Sequence, residues 1–386
     1  MKQIRYGIIG VGNIGTTHLR TFMTGEVPDG VVTAIADTNP AKLEAARADW
    51  PTADFAVYAS GEALIERAAV DAVVVAVPHF LHPPLCMAAM KKGLGVVCEK
   101  PAGVYTAQVK EMNATADATG APFTLMLNQR TNCVYRKMRE LVHCNELGAI
   151  KRVSWIVTDW YRPQSYYDSG AWRATWAGEG GGVLFNQSPH QIDLLLWVTG
   201  MIPSRVRAYC HYGKWHDIEV EDDVTAYLEY PGGATGIFVT STADAPGTNR
   251  FEISGTMGKL VCEHNALTFY RNRVDEREFN RTNRRGFGAP EYDIVPIETD
   301  GDNPQHAGIL RNFTQHMLGR ETLFVDGRDG LMGVELMDAM ELSAWTDRLI
   351  ELPIDDAEYY DELRKRMAAS RWKNVTDIIS DTRGTY

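Results

Sequence analysis

At 386 residues, with 45% hydrophobic content and a formal charge of −11, the chain is long enough for two domains with sizeable cores. The charge is spread along the sequence without a basic stripe or lysine-rich arm, which argues against nucleic acid and favours a neutral small molecule as partner. No apolar run reaches membrane-span length, residues 1–5 enter the first expected strand without a signal-peptide pattern, and the six cysteines include no C-x-x-C pair, so a cytoplasmic protein with reduced thiols and no membrane association is expected.

Residues 4–9 read as a short buried strand that runs into Gly10-Val11-Gly12-Asn13-Ile14-Gly15, with a helix beginning at Thr16. This is G-x-G-x-x-G with its strand and helix in place, the pattern of a dinucleotide site. Gly10 permits the tight turn, Gly12 lets the backbone approach a pyrophosphate, and Gly15 lets the helix pack on the sheet. The amides at the helix start, those of Asn13 and Ile14 included, favour the phosphates. Strands at 31–37, 70–77, 94–98 and 122–127 alternate with helices at 40–48, 81–92 and 105–119, which predicts a six-stranded doubly wound Rossmann domain over residues 1–128. Asp37 ends the second strand roughly 20 residues beyond the last glycine, where a carboxylate accepts from ribose hydroxyls; with Thr38 beside it and no arginine to hold a 2′-phosphate, NAD is preferred over NADP. Val77, Pro78, His79 and His82 follow the fourth strand and are expected along the nicotinamide ribose. Glu99-Lys100-Pro101 ends the fifth, where the nicotinamide itself should lie, and makes Lys100 a candidate for orienting substrate.

From residue 150 the pattern becomes longer strands with period-two alternation, at 151–160, 204–212, 224–230, 235–242 and 251–254, joined by Pro231-Gly232-Gly233 and Gly255-Thr256-Met257-Gly258 hairpin signals. Residues 129–386 are therefore expected to form a substrate-binding and oligomerisation α+β domain with a large, mostly antiparallel open sheet. Its helices are predicted at 189–198, 305–318 and 330–349, with a loop excursion over 271–288 and a peripheral helix in the tail from 355. One sheet face would need covering, which points to a homodimer or homotetramer.

Hydride transfer from a hydroxyl needs a group to take the proton and a group to orient the C–H bond. His190 follows Gly180-Gly181-Gly182, Asn186 and Pro189 at a helix start, and shares helical spacing with Asn186 and Asp193. The glycines allow close approach to another surface, the cofactor being the candidate. Trp160, Tyr161, Asp168, Trp172, Arg173 and Trp176 form a polar-aromatic stretch suited to a sugar, and Asn128, Gln129, Arg130 and His306 are further candidates for cofactor or substrate contact. His211, His216, Glu219 and Asp222 lack metal-ligand spacing, so no metal is expected.

The glycine fingerprint, Glu99-Lys100-Pro101, and the glycine run with its polar residue and His190 resemble the Gfo/Idh/MocA family over roughly residues 3 to 350. The resemblance implies an NAD(P)-dependent oxidoreductase of sugars or polyols, with Lys100 holding substrate and cofactor, His190 as acid/base, Trp172-Arg173 beside the nicotinamide and the Lys-Pro peptide often cis. Many inositol-type members carry Asp where this chain has Asn186, which cannot act as a base and should instead bind or orient a hydroxyl, leaving the proton to His190 with its near-neutral intrinsic pKa. The leading expectation is oxidation or reduction of a secondary hydroxyl of a sugar, glycoside or polyol, with C3 of a pyranoside as candidate. A redox-assisted glycosidase that retains NAD and a non-catalytic sugar or cofactor sensor are the alternatives.

Overall fold

The computed structural model describes residues 2–371. Six short strands, β1 (Ile4–Ile9), β2 (Gly30–Ala36), β3 (Ala56–Tyr58), β4 (Ala72–Val75), β5 (Gly95–Cys98) and β6 (Phe123–Leu125), form a sheet in the order β3-β2-β1-β4-β5-β6. Every pairing is parallel, and β4 and β5 are apolar and buried throughout because both faces are covered. The strand order reverses between β1 and β4, which opens a crevice at their carboxyl ends. Strand β3 spans too few residues to show a period, and the sequence gives no separate signal for it. The strand expected at 70–77 is confined to β4, so Val77 and Pro78 belong to the loop over the crevice.

The first sheet is completed by chain from the far end of the sequence. Helix Gln305–Met317 packs on it, with the buried Tyr6 hydroxyl 2.7 Å from Thr314 Oγ1. Thr124 Oγ1 donates to the Val325 carbonyl at 2.8 Å, and the Thr106 amide donates to Asp338 of helix Gly330–Thr346 at 2.9 Å. A cut after residue 128 would therefore strip the first sheet of part of its cover.

The second sheet has nine strands: β7 (Ile150–Val157), β8 (Arg205–Tyr212), β9 (Glu221–Glu229), β10 (Thr235–Ser241), β11 (Asn249–Gly255), β12 (Gly258–Glu263), β13 (Ala266–Asn272), β14 (Tyr292–Ile297) and β15 (Ile350–Glu351). Their order is β14-β13-β12-β11-β7-β10-β9-β8-β15, antiparallel except for β7 beside β10. Alternation sends Trp155, Phe238 and Phe251 inward, where Trp155 stacks on Phe251 at 4.1 Å, and leaves Ile156, Tyr209, Tyr227 and Ile237 exposed on the other face. The expected loop over 271–288 instead contains helix Glu276–Thr282 and leads to β14. Among the described residues, strand β14 pairs only with β13, and it has no buried residue, so it carries no alternation for a sequence to reveal. The tail forms helix Asp356–Ala369, capped by Asp355; the rest of the expected tail, 372–386, lies outside the described residues.

Candidate active site

At the cofactor end the work is done by backbone. Gly10 has φ +89°, and a Cβ there would meet the Ala76 carbonyl oxygen at 2.2 Å; one on Gly15 would meet the Gly10 carbonyl oxygen at 1.8 Å. A Cβ on Gly12 would meet nothing within 4 Å, so the space above this turn is open. Helix Asn13–Met23 starts there with no side-chain cap and no acidic residue in its first turn, which leaves its field and first amides for an anion. Asp37 is fixed over the same turn, Oδ2 accepting from the Val11 amide at 2.9 Å and Oδ1 from the Asn39 amide at 2.8 Å. Thr38 is exposed beside it. Open space, uncapped amides and an anchored acid fit a dinucleotide.

His82 sits between the ends of β4 and β5, with Nε2 2.8 Å from the Val77 carbonyl and Nδ1 2.7 Å from the Pro101 carbonyl, a neutral ring donating to one of the two. His79 Nδ1 lies 3.1 Å from the Glu179 carbonyl and its ring meets Trp172 edge-on at 5.9 Å. Burial lowers the pKa of both histidines. The Lys100–Pro101 peptide is cis. Lys100 Nζ donates to the Asn186 carbonyl at 2.8 Å, and burial pulls its pKa below the usual lysine range, with Glu99 and Glu179 opposing and Arg173 and Arg162 adding to the fall. Burial alone would raise the Glu99 carboxyl, but His18 donates to it at 2.6 Å and holds it at about 2. Glu99 also accepts from the Lys100 amide at 3.1 Å. The ring of His306 packs at 5.5 Å from that of His18, and burial pushes its pKa down to about 4.

On the substrate side, the glycine run packs closely against protein. A Cβ on Gly180 would strike Val104 at 2.2 Å, and one on Gly182 the Glu221 carbonyl oxygen at 2.0 Å. Glu221 Oε1 then accepts from the Gly182 and Leu184 amides at 2.8 and 3.0 Å, anchoring the single turn Val183–Asn186. Helix Pro189–Thr199 follows and carries His190 in its first turn. His190 Nδ1 is buried without a hydrogen-bond partner, and desolvation followed by the Lys100 charge lowers the ring to about 3, so the expected near-neutral pKa does not survive the surroundings.

Asn186 is held at both ends of its amide. Nδ2 donates to Glu179 Oε1, while Oδ1 accepts from the Tyr166 hydroxyl at 3.1 Å and from Gln187 Nε2 at 3.2 Å. Arg173 donates to the Tyr166 hydroxyl at 2.7 Å and lies 3.8 Å from Glu179 Oε1, with its guanidinium over both Tyr166 and Trp172. Glu179 is buried, which raises its pKa, with Arg173 opposing.

The structure thus gathers Glu99, Lys100, Asn186, His190 and His306 within electrostatic or hydrogen-bonding reach of one another, with His79, His82 and Arg173 in the same field, Trp172 against His79, and Asn128 tied to Gln305 next to His306. Asn128 Nδ2 donates to Gln305 Oε1 at 2.5 Å. It does not bring in four other candidates. Arg130 grips Asp193 with two hydrogen bonds of 2.9 and 2.6 Å and Asp329 with a third of 2.6 Å, so its donors brace two helices and are not offered to substrate. Asp168 is exposed and accepts from Gln164; Tyr161 is 49% exposed, its carbonyl accepting from Arg162. Trp176 is buried between Tyr212 and Trp345. Sequence reasoning missed His18, Tyr166, Glu179 and Gln187. Glu179 was the most accessible of these, as an acid directly before the glycine run.

Residues 4–127 match the family model described as "Oxidoreductase family, NAD-binding Rossmann fold", and residues 135–261 match "GFO/IDH/MocA C-terminal domain". The chain belongs to the Gfo/Idh/MocA family. Among relatives of this family member is the trans-1,2-dihydrobenzene-1,2-diol dehydrogenase of Bos taurus, 30% identical over 324 residues that cover 76% of this chain and 92% of the relative. The myo-inositol 2-dehydrogenase of Thermotoga maritima is 24% identical, covering 90% of this chain and 98% of its own. The WlbA dehydrogenase of Bordetella pertussis, crystallised with NADH and UDP-GlcNAcA, superposes with a TM-score of 0.78 at 28% identity, covering 92% and 99% of the two chains. This Gfo/Idh/MocA protein is an oxidoreductase of an NAD-binding family whose relatives act on diols and sugar-like molecules.

Proposed function

We propose that this protein is an NAD-dependent dehydrogenase that moves a hydride between the nicotinamide and a secondary hydroxyl of a sugar, glycoside or polyol, with C3 of a pyranoside as the candidate position. The observation that carries the reading is the pairing of Lys100 Nζ, fixed on the Asn186 carbonyl, with His190, whose buried Nδ1 has no partner. Gly10, Gly12, Asn13, Ile14 and Gly15 would hold the pyrophosphate, Asp37 and Thr38 the adenosine ribose, and Val77, Pro78, His79, Asn128, Trp172 and Arg173 the nicotinamide end. When bound, NAD supplies the hydride acceptor. Asp37 favours NAD, since its carboxylate would repel a 2′-phosphate.

His190 is neutral across the physiological range, because burial and Lys100 disfavour its cation. It therefore enters the reaction able to accept the hydroxyl proton. Lys100 orients that hydroxyl and stabilises the negative charge that grows on its oxygen as the proton leaves. Asn186 has both amide ends engaged, and we assign it to aiming its own carbonyl at Lys100 and to the pocket wall, a narrower role than direct hydroxyl binding. Residues 1–128 act as the cofactor domain and residues from 129 as the substrate domain. The exposed face with Ile156, Tyr209, Tyr227 and Ile237 supports a homodimer or homotetramer, since packed sheets normally cover such a surface.

NADH absorbance over a panel of inositols, free hexoses and glycosides tests the reading. Net NADH formation on at least one of them is expected; release of an aglycone without NADH would favour a glycosidase, and cofactor binding without any turnover a sensor.

A further inference from the structure

The chain is acidic overall, yet two arginines, Arg162 and Arg173, lie over the Tyr166 ring at the substrate end of the site. Arg162 lies between β7 and the turn Gln164–Tyr167, and its main chain is pinned on both sides: its amide donates to the Thr242 carbonyl at 2.9 Å, and its own carbonyl lies 2.9 Å from His216 Nε2. His216 is held in turn by Asp222, 3.0 Å from Nδ1. This accounts for the histidine and acid that carried no metal pattern in the sequence: they set the position of an arginine.

The Arg162 guanidinium lies 5.1 Å from the centre of the Tyr166 ring and 5.5 Å from that of Trp160. Tyr166 is the ring that also carries Arg173 at 4.4 Å and whose hydroxyl reaches Asn186. The two arginines differ in one respect. Arg173 has Glu179 at 3.8 Å, whereas Arg162 donates only to the neighbouring Tyr161 carbonyl, its Nε is buried with no acceptor, and no carboxylate pairs with it among the described residues. Glu99 is held by His18 and Glu179 by Arg173 and Asn186, and both carboxyls also face Lys100, so Arg162 is the cation left without a carboxylate, within the field of Lys100. Two cations near each other in a partly desolvated pocket repel and are stabilised by an oxyanion between them, which a guanidinium fork holds with two hydrogen bonds.

We propose that Arg162 is an anion anchor and that the substrate is a polyhydroxy compound bearing an oxyanion, a carboxylate or a phosphate, held at Arg162 while a secondary hydroxyl faces Lys100 and His190. This rests on the dehydrogenase reading above and narrows its substrate class. It also replaces the neutral partner expected from the overall charge, because the local field of the pocket, not the net charge of the chain, meets the ligand.

The test compares NADH formation on glucuronate, glucose 6-phosphate and glucose, in the wild type and in Arg162→Gln and Arg162→Lys. One of the two anions should exceed glucose in kcat/KM by about tenfold or more, as expected for a charged hydrogen bond; which one identifies the carboxylate or the phosphate. Arg162→Gln should remove that preference through KM, and Arg162→Lys should restore part of it. Equal use of glucose and both anions, an Arg162→Gln loss shared equally by glucose, or an equal weakening of NAD binding measured without sugar would each overturn the assignment. If no sugar is oxidised, calorimetric titration of glucuronate and of glucose 6-phosphate into NAD-saturated protein separates the two claims. Binding lost in Arg162→Gln would support the anion site although the dehydrogenase reading had failed, and no binding of either anion would overturn it.

Discussion

The two ends of the cleft are built from different materials. The cofactor end is backbone: a positive φ at Gly10, two contacts that forbid a Cβ, and a helix start without a cap. The substrate end is side chains, with Arg173, Tyr166, Asn186 and Glu179 joined in a hydrogen-bonded line that Lys100 meets through the Asn186 carbonyl. A backbone site tolerates almost no change in its glycines but asks little of the residues between them. A side-chain network can keep its shape while one member changes, and this is where relatives with different substrates can diverge.

The largest effect should come from the first region. Gly15→Val would drive a side chain into the Gly10 carbonyl and is expected to abolish a folded cofactor domain, read as loss of NAD binding and of the thermal transition. Gly12→Ala has room, so the protein should stay folded with unchanged Tm while NAD affinity falls. Equal loss of stability in both variants would erase the distinction between a packing glycine and a ligand-facing one.

Next in size, Lys100→Ala should lower kcat/KM by roughly 10²–10⁴, the range for removing a positioned group that stabilises charge in the transition state. An Asn186→Asp change would then set a carboxylate against buried Glu179, two like charges where one hydrogen bond now stands. It should destabilise the fold by about 1–3 kcal/mol, and adding Glu179→Gln should recover most of that in a double-mutant cycle. Additive losses would mean the two residues do not communicate.

The Rossmann half was legible because its determinants are local: a glycine spacing, an acid at a strand end and short runs of Val and Ile. His190 and Lys100 were legible for the same reason, each lying in a compact motif. Tyr166 was not, because its role depends on Asn186, Arg173 and Gln187 meeting it through the fold, and the sequence directed attention to the neighbouring Tyr161 and Asp168 instead. Arg130 misled in the opposite sense. An arginine at a domain junction resembles a ligand contact until Asp193 and Asp329 are seen to use its donors. Helix Gln305–Met317 crosses back to the first sheet by a long-range contact that no local pattern records.

The most gradual effect is on stability against pH. His190 and His306 are lowered to about 3 and about 4 from the ordinary histidine value of 6.5. The unfolded chain thus binds more protons than the folded one between those limits, and their contribution is full above pH 6.5 and lost as pH falls. Each can add at most about 1.4 kcal/mol per pH unit to the slope. His190→Gln should flatten the loss of stability between pH 6.5 and 4; an unchanged slope would show that His190 is not held neutral by its surroundings.

The central claim is that His190 takes the proton and does not hold the cofactor. Turnover and NAD affinity measured on the same His190→Ala protein test it most directly. Turnover should fall by about 100-fold or more while the Kd for NAD stays close to that of the wild type. Near-full turnover, or a loss explained by weakened NAD binding, would contradict the account.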